Sequence, residues 1–296
     1  MPAAGLYGKE LVSTNEKNSL ILKVYVYNKS KKFMKILKLF YLKKEGYIMS
    51  KGKSKKDLQI HQQSAINTVN DYLTELINSN DKVMQAKADK LSYWLKDWTN
   101  FLRYEPNFCS RNLKTYKRGQ IIKVHLGFNI GSEEGGLHYA VVIDTNNKRS
   151  SPVLTVVPLT SVKPYTNIEK LHCGNVFLGN ELYISLNAKL SATIRHLKEE
   201  INMVTSLLRS DTIPTLSEVK KKLQQLEIES ALAKKMQQEI HKMKSGSIAL
   251  VNQITTISKI RIYDPKTEHD ILSGIRLSNE KLDLLDAEII KMYTQK

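Results

Sequence analysis

The chain has 296 residues, of which 41% are hydrophobic and 25% charged, and its formal net charge at pH 7 is +17. This composition excludes an intrinsically disordered or fibrous protein, because the apolar fraction is sufficient for one or two packed cores. Residues 1–56 carry fourteen Lys against three Glu, which accounts for +11 of the charge; the modest excess elsewhere is compatible with a phosphate-binding face but does not require one.

Residues 1–48 differ from the rest of the chain. Lys residues interrupt two short apolar runs, Leu20–Tyr27 and Phe33–Leu42, so neither reaches the roughly 18 uninterrupted apolar residues of a membrane span. One interpretation is a basic amphipathic membrane anchor. We favour another, in which translation begins at Met49 and residues 1–48 are a non-native or disordered upstream extension. The codons for residues 44–46, Lys-Glu-Gly, would be purine-rich and would resemble a ribosome-binding sequence just before that Met.

Residues 49–105 have helical periodicity. Apolar residues recur at spacings of three and four on both sides of the polar cluster at 78–81, which predicts an N-terminal helical hairpin. Trp94 and Trp98 lie one turn apart on the second predicted helix, and we interpret them as a packed seam rather than a surface for base stacking. The polar residues that follow, up to about residue 117, form a predicted linker.

Two separated segments, residues 117–185 and 246–296, have a different pattern. Short β-branched runs, separated by Gly, Asn, Ser and Pro, predict a compact antiparallel sheet or small barrel that is split in sequence. The run before the split is predicted to extend from Asn175 to Ile184. Apolar residues at helical spacing between Leu277 and Tyr293 predict a final helix that packs on the barrel.

The segment between the two halves, residues 186–245, has leucines at near-heptad spacing on both sides of Pro214. This pattern predicts an antiparallel coiled-coil hairpin. Thr215 and Glu218 have the spacing of a capping box that opens its second helix. The run of three Lys that follows, residues 220–222, is interpreted as a solvated face, with contact to RNA phosphates as the alternative.

The chain has only two cysteines, Cys109 and Cys173. They are far apart and lack the paired spacing of a zinc site. We therefore expect no metal site and no cofactor, and a reducing cytoplasm as the location.

Several side chains could serve in RNA cleavage without a metal, which needs groups that transfer protons and groups that stabilise charge on the phosphoryl oxygens. His138 suits proton transfer, because its unperturbed pKa of about 6.5 lies near working pH. Thr160 and Ser161 could donate hydroxyl hydrogen bonds. Each signal alone also fits a structural role, since a lone His is commonly a packing residue and a Gly-rich loop fits an ordinary hairpin turn. Candidate phosphate cations are Arg118, Lys163, Lys259 and Arg261.

The order and spacing of these residues carry more information than each residue alone. The pattern is Arg118-Gly119, then after eleven residues Gly131-Ser132-Glu133-Glu134-Gly135-Gly136, then His138 five positions after Glu133, a strand ending at Thr160-Ser161, and a late Gln253-Ile-Thr-Thr256. This pattern resembles the MazF/PemK family of toxin endoribonucleases. The resemblance covers about residues 117–185 and 246–275, and it leaves both helical hairpins outside.

The resemblance implies an α+β fold: a small SH3-like β-barrel of the MazF/PemK kind, interrupted by the coiled-coil hairpin and preceded by the N-terminal helical hairpin. It implies catalytic roles for His138 and Thr160, with Ser161 beside them. The sequence departs from the family at His138-Tyr139, where the family usually has Arg-Pro. We expect His138 to act as general base or acid, since an imidazole exchanges protons more readily than a guanidinium but carries a weaker, pH-dependent charge. The implied RNA-binding residues are Arg118, Ser132, Glu133, Tyr139, Lys163, Gln253, Thr256, Lys259 and Arg261.

The implied activity is metal-independent cleavage of single-stranded RNA by attack of the 2′-hydroxyl, which leaves a cyclic phosphate and a 5′-hydroxyl. The implied partners are a second copy of the chain, in a homodimer, and a separately encoded antitoxin, with no membrane. One alternative is a catalytically inactive barrel that binds RNA or protein through its groove and coiled coil. Another is a barrel used only for protein assembly. The helical hairpins could extend a dimer interface, mask the RNA groove or reach another protein.

Overall fold

The computed structural model describes residues 53–209, 215–243 and 246–294. They fall into two compact units that divide between Asn70 and Asp71. In the first unit, residues 53–70 contain the beginning of helix α1 (Lys55–Ile77) and are exposed along their whole length. None of the helices in the described residues combines the length and hydropathy that a membrane span needs. The predicted upstream extension, residues 1–48, lies outside the described residues.

Helix α2 (Lys82–Tyr104) follows α1 after a short turn, and both helices agree with the predicted helical segment. Asp81 caps α2, because its carboxylate accepts a hydrogen bond of 2.8 Å from the backbone N–H of Val83. The end of α1 lies beside α2, where the Lys87 ammonium donates to the Tyr72 hydroxyl at 2.8 Å.

An antiparallel sheet forms the centre of the second unit. Its strands are β1 (Ile121–His125), β2 (Leu137–Val142), β3 (Val153–Ser161), β4 (Asn175–Gly179), β5 (Ser247–Leu250), β6 (Thr255–Ser258) and β7 (Ile262–Asp264). Their order is β4-β5-β3-β2-β1-β7, with β6 paired to β3. The mixture of helices and antiparallel sheet confirms the α+β class. The pairings among the described residues form an open sheet that ends at β4 and β7, so the predicted SH3-like barrel is not confirmed.

The sheet has an apolar core on each face, because successive side chains of a strand point to opposite faces. Ile121 and Val141 are fully buried in one core, and Ile122 and Val142 are fully buried in the other. Burial on both faces explains why the strands read as continuous β-branched runs. Apolar burial, at about 25 cal/mol per Å² removed from water, is the main force that stabilises this sheet.

Strand β3 connects parts of the sheet that are distant in sequence. Its first residues, 153–156, pair with β6. Farther along, Pro158 pairs with Ala140 of β2, and Ser161 then pairs with Ser247 of β5. One sheet is therefore built from segments on both sides of the long helices described next.

Two long helices separate β4 from β5. They are α3 (Glu181–Arg209) and α4 (Leu216–Lys242). The predicted strand up to Ile184 was wrong beyond Gly179. The backbone turns at Gly179, where φ is +67°, and Leu182 and Leu186 then enter the core at the i, i+4 spacing of a helix.

Helices α3 and α4 pack against each other in antiparallel orientation. The His196 ring lies 3.0 Å from the Glu229 carboxylate, and the Lys222 ammonium lies 3.5 Å from the Glu200 carboxylate. His196 precedes Glu200 on α3, whereas its partner Glu229 follows Lys222 on α4. The two helices therefore run in opposite directions. The finer prediction of a coiled coil stays a prediction.

Side chains cap the starts of α4 and of the last helix, α5 (Asn279–Tyr293). The predicted capping box of α4 is confirmed. The Thr215 hydroxyl accepts from the Glu218 N–H at 3.3 Å, and the Glu218 carboxylate accepts from the Thr215 N–H at 3.0 Å. The Ser278 hydroxyl caps α5 in the same position.

Helix α5 packs on one face of the sheet, as predicted. Leu282 and Leu285 are buried in the same core as Ile121. At the start of β1, Gly119 lies directly under this helix and adopts a φ of +80°. A side chain at this position would meet both a backbone strain and the helix.

We predict that Gly119→Ala destabilises the protein more than Gly274→Ala. Both glycines have a φ of +80°, but a Cβ at Gly119 would lie 2.8 Å from Cδ1 of Leu282, whereas a Cβ at Gly274 would have no atom within 4 Å. The shared strain should therefore cancel, and the clash should cost about 1–3 kcal/mol more at Gly119. Urea unfolding of the two variants measures the difference, and equal losses would contradict the prediction.

Candidate active site and RNA-binding surface

The glycine-rich loop between β1 and β2 folds back on itself before β2 begins. Gly136 donates its N–H to the Gly127 carbonyl at 2.6 Å, and Leu126 donates its N–H to the Gly136 carbonyl at 2.7 Å. A Cβ at Gly135 would lie only 2.9 Å from the Gly127 carbonyl oxygen, so this approach requires a glycine. The closed loop fixes the position from which His138 enters β2.

His138 has an acceptor beside each of its ring nitrogens. Its Nε2 lies 3.0 Å from Oε1 of Glu134, and its Nδ1 lies 3.3 Å from the carbonyl oxygen of Leu159. Only the doubly protonated ring carries an N–H on both nitrogens. The geometry therefore favours the imidazolium form of His138.

The electrostatics of this pair agree with the geometry. The hydrogen bond to Glu134 raises the pKa of His138, although burial of the ring opposes the shift. The same hydrogen bond lowers the pKa of Glu134, again against the effect of burial. The contact therefore favours the imidazolium form of His138 together with the carboxylate form of Glu134.

A cavity of about 310 Å³, which we call the His138 cavity, brings five of the predicted site residues together. They are His138, Tyr139, Thr160, Ser161 and Lys163. The register of the sheet explains why. Ala140 of β2 pairs with Pro158 of β3, and His138 and Thr160 each lie two residues beyond that pair, where antiparallel strands bring the same face together.

Helix α4 supplies another wall of the His138 cavity through Glu239 and Lys242. The Glu239 carboxylate accepts a hydrogen bond of 2.5 Å from the Tyr139 hydroxyl and forms an ion pair with Lys123 of β1. Burial raises the pKa of Glu239, but the hydrogen bonds from Lys123 and Tyr139 outweigh it and lower the pKa overall. Burial and the Glu239 contact together raise the pKa of Tyr139, so its hydroxyl stays protonated as a donor.

Gln253 holds the glycine-rich loop from the other half of the sequence. Its side-chain oxygen accepts from the Glu134 N–H, and its amide donates to the Ser132 carbonyl at 3.1 Å. A second cavity of about 660 Å³, which we call the loop cavity, adjoins this contact. It contains the predicted residues Ser132, Glu133, Gln253 and Arg261. Glu134 lines the loop cavity while its carboxylate contacts His138, so the two cavities are neighbours.

Arg261 is held in the loop cavity by α2 and β1. Its Nε donates to the His125 carbonyl at 2.8 Å, and its guanidinium lies 5.7 Å from the ring centroid of Trp94. Trp94 also stacks on the His125 ring, with centroids 4.6 Å apart. Trp94 therefore has the packing role expected from the sequence, whereas Trp98 is 48% exposed.

Three predicted RNA-binding residues lie outside both cavities. Arg118 donates to the Ile143 carbonyl and pairs with Asp286 of α5, so it holds that helix on the sheet. Thr256 is exposed on β6. Lys259 is only 1% exposed, and its ammonium donates to the Lys148 carbonyl at 3.2 Å. Such burial contradicts a phosphate contact by Lys259, because the ammonium does not reach the surface.

The described residues contain no group of three or more His, Cys, Asp and Glu side chains placed to hold a metal ion. Cys109 and Cys173 are both free and exposed.

Comparison with known proteins bears on the same part of the chain. Residues 117–227 match the sequence profile of the PemK-like, MazF-like toxins of type II toxin–antitoxin systems. This part of the chain is therefore similar to that toxin family. No curated protein matches the chain. The match covers β1 to β4, α3 and part of α4, and it ends before the segment that contains Gln253.

The His138 cavity and its surroundings contain functional candidates that the sequence did not reveal. Glu134 was only a neighbour of Glu133 in a loop motif, and Lys123 was one charge in an apolar strand. Glu239 lies among other polar residues of a long helix. No spacing rule links residues 123, 134 and 239, so only the folded chain brings them to the His138 cavity.

We predict that Glu134→Gln lowers the pKa of His138, because the neutral amide no longer stabilises the imidazolium. In the native protein, this pKa should lie above 6.5. The stabilising contact should be fully present below the ordinary His pKa and be lost as pH rises through the raised value. NMR titration of the ring measures the pKa. Glu133→Gln is the matched control, and an equal shift in both variants would contradict a specific role for Glu134.

Proposed function

We propose that the chain is a toxin endoribonuclease that cleaves single-stranded RNA. The 2′-hydroxyl gives its proton to water as its oxygen bonds to phosphorus, and the bond from phosphorus to the 5′-oxygen breaks as that oxygen takes a proton from water. The products are a 2′,3′-cyclic phosphate and a 5′-hydroxyl. The match of residues 117–227 to the toxin family supports an RNA substrate, and the shared cavity of His138 and Thr160 supports the location of the reaction.

His138 acts in this proposal as an imidazolium that stabilises negative charge on the phosphoryl oxygens. The observation that carries the proposal is the acceptor beside each ring nitrogen, Glu134 Oε1 and the Leu159 carbonyl. A ring held in its charged form is a poor general base, because the lone pair that would accept a proton is already protonated. Of the two roles expected from the sequence, the geometry therefore disfavours the base.

This role also accounts for histidine at a position where the family usually has arginine. A guanidinium is charged at every working pH, whereas an imidazole needs a raised pKa to be mainly charged near neutral pH. Glu134 supplies that shift. The pair of His138 and Glu134 is thus a pH-dependent substitute for one permanent cation.

Other residues of the two cavities have supporting roles. Thr160 and Ser161 donate hydroxyl hydrogen bonds to the phosphate, and Lys163 is a nearby cation. In the loop cavity, Ser132, Gln253 and Arg261 contact the flanking nucleotides. We further propose a homodimer of SH3-like barrels, a separately encoded antitoxin and a cytoplasmic location, each by analogy with the toxin family.

Helix α4 limits access to the reacting phosphate in this proposal. Glu239 occupies Lys123 and Tyr139, two donors that line the same cavity as His138. Its carboxylate both neutralises one cation and repels an approaching phosphate. Among the roles considered for the inserted helices, partial masking of the site therefore has the most direct support.

We predict that purified protein cuts a long single-stranded RNA at defined positions in EDTA and that Thr160→Ala slows cutting about 10²–10³-fold, as loss of one charge-stabilising donor does. His138→Ala should slow it similarly. His138→Arg should retain cutting and abolish the decline in rate as pH rises through the pKa of His138. End mapping and rate measurements from pH 5 to 9 provide the test.

Thr205→Ala is the matched control, because this exposed threonine lies on α3 and its hydroxyl bonds only within the helix. Inactive His138→Arg together with a rate that rises with pH would identify His138 as a base and contradict the charge role. RNA binding without cutting by the native protein would contradict the nuclease itself.

We predict that Glu239→Gln lowers KM for RNA about 2- to 10-fold, because one charge near a protein surface contributes about 1 kcal/mol to binding an anion. Thermal stability should fall, since Lys123 loses its ion pair. Steady-state cleavage measures KM, with Glu227→Gln, an exposed position on the same helix, as the control. An unchanged or raised KM in Glu239→Gln would contradict masking by α4.

A further inference from the structure

A third cavity, which we call the basic cavity, lies where the start of β1 meets the β2–β3 loop and the segment after β7. Its volume is about 700 Å³. Four segments contribute to it, and the residues that determine its charge are Lys114, Lys117, Arg149, Lys266, Glu268 and Arg276. The predicted RNA-binding residues are not among them. This cavity is therefore separate from the site described above.

The charges of the basic cavity are strongly unbalanced. Five cations and one carboxylate line it, and the carboxylate, Glu268, is already paired with the buried Lys114 at 2.8 Å. The ammonium of Lys114 also donates to Ser273 at 2.6 Å, so this pair forms part of the wall. Like charges brought together by folding repel one another unless an anion joins them. The remaining cations therefore favour an anionic ligand.

The two arginines are held in position before any ligand arrives. Arg149 donates from Nε to the Leu113 carbonyl at 2.7 Å, and Arg276 donates from Nε to the Arg118 carbonyl at 2.9 Å. In each case a backbone contact fixes the guanidinium plane, while the terminal nitrogens remain as donors. A fixed guanidinium loses less conformational entropy when it binds an oxyanion, and its paired N–H groups match two oxygens of one phosphate.

The two exposed lysines of the basic cavity are available to a ligand. Within the described part of the chain, no carboxylate forms an ion pair with the ammonium of Lys117 or of Lys266. Thr115, Thr267, Gln120 and His269 add polar side chains, and the lining contains no Phe, Tyr or Trp. A lining that is rich in cations and holds a single imidazole ring suits contacts to a phosphate backbone.

We propose that the basic cavity is a second anchoring site for the sugar–phosphate backbone of the RNA strand that enters the His138 cavity. The inference rests on the proposed nuclease function and extends it to the contacts that hold a long substrate. The basic cavity binds the phosphate groups of the strand and makes no contact that depends on the identity of the bases. The match to RNA-cutting toxins favours RNA over the other anionic ligand, a peptide rich in Asp or Glu, which the test below includes as a competitor.

The register of β1 separates the two sites along the sheet. His138 pairs with Val124, whereas Gln120, which lines the basic cavity, lies four residues earlier, just before β1 begins. At about 3.3 Å per residue, this is a separation of about 13 Å along the sheet. A dinucleotide with its one phosphate in the His138 cavity would not reach the basic cavity, because successive phosphates of a stacked strand are only about 3.4 Å apart, but a long strand would reach it.

The test uses binding of 2′-O-methyl RNA, which lacks the attacking hydroxyl and is measured independently of cleavage. We compare strands of 2 and about 20 nucleotides with the native full chain and the double variant Lys117→Gln/Lys266→Gln. The double variant should bind the long strand at least about tenfold more weakly, and its salt dependence should fall by about one unit of slope per lysine. Binding of the short strand should not change. Lys198→Gln/Lys234→Gln, with one exposed lysine each from α3 and α4, is the control of equal charge.

Three results would overturn the proposal: equal weakening of long and short strands, equal weakening in the control variant, or unchanged binding of the long strand. Polyglutamate of matched charge is added as a competitor, and displacement of the long strand as effective as that by unlabelled RNA would identify an acidic peptide as the ligand instead. Binding that depends on Lys117 and Lys266 in a protein that cuts no RNA would support the second site while contradicting the nuclease. If the protein cuts RNA but the double variant binds the long strand as tightly as the native protein does, the nuclease is supported and the second site is contradicted.

Discussion

The pairing of β3 with three other strands is the constraint on which the rest of the structure depends. Buried backbone N–H and C=O groups need partners, so β3 fixes β2, β5 and β6 in one register. A shift by one residue would turn the buried side chains to the opposite face. The Leu159 carbonyl of β3 contacts the His138 ring, and Thr160 follows it directly. The geometry of the proposed active site is therefore a consequence of sheet register.

The balance of charge at the His138 cavity follows from two carboxylates with different partners. Glu134 maintains positive charge on His138, and Glu239 cancels the charge of Lys123. With Lys163 and Lys242 also in the lining, the cavity remains net positive when His138 is protonated. A histidine in this environment stabilises a phosphate only while its carboxylate partner raises its pKa. An arginine would need no such partner, but it would also offer no response to pH.

Helices α2 and α4 each contact strand β1, and each contact lies beside one of the two cavities. Helix α2 contacts β1 where Trp94 stacks on His125 beside the loop cavity, and α4 contacts it where Glu239 pairs with Lys123 beside the His138 cavity. Both helices were predicted from periodicity, because apolar spacing is a local property. Their roles at the site were not predictable, since each depends on one side chain reaching a distant strand.

Local spacing and the order of motifs were sufficient to predict the resemblance to the toxin family, the α+β class, the capping box of α4 and the grouping of His138 with Thr160. Folding sets which charged side chains remain available to a ligand. It buried Lys259 beneath the surface, assigned Arg118 to helix packing, and brought Glu134 and Glu239 to the cavity. A charged side chain has the same letter whether it is paired, buried or exposed, and its electrostatic effect depends on distances and burial that only folding sets.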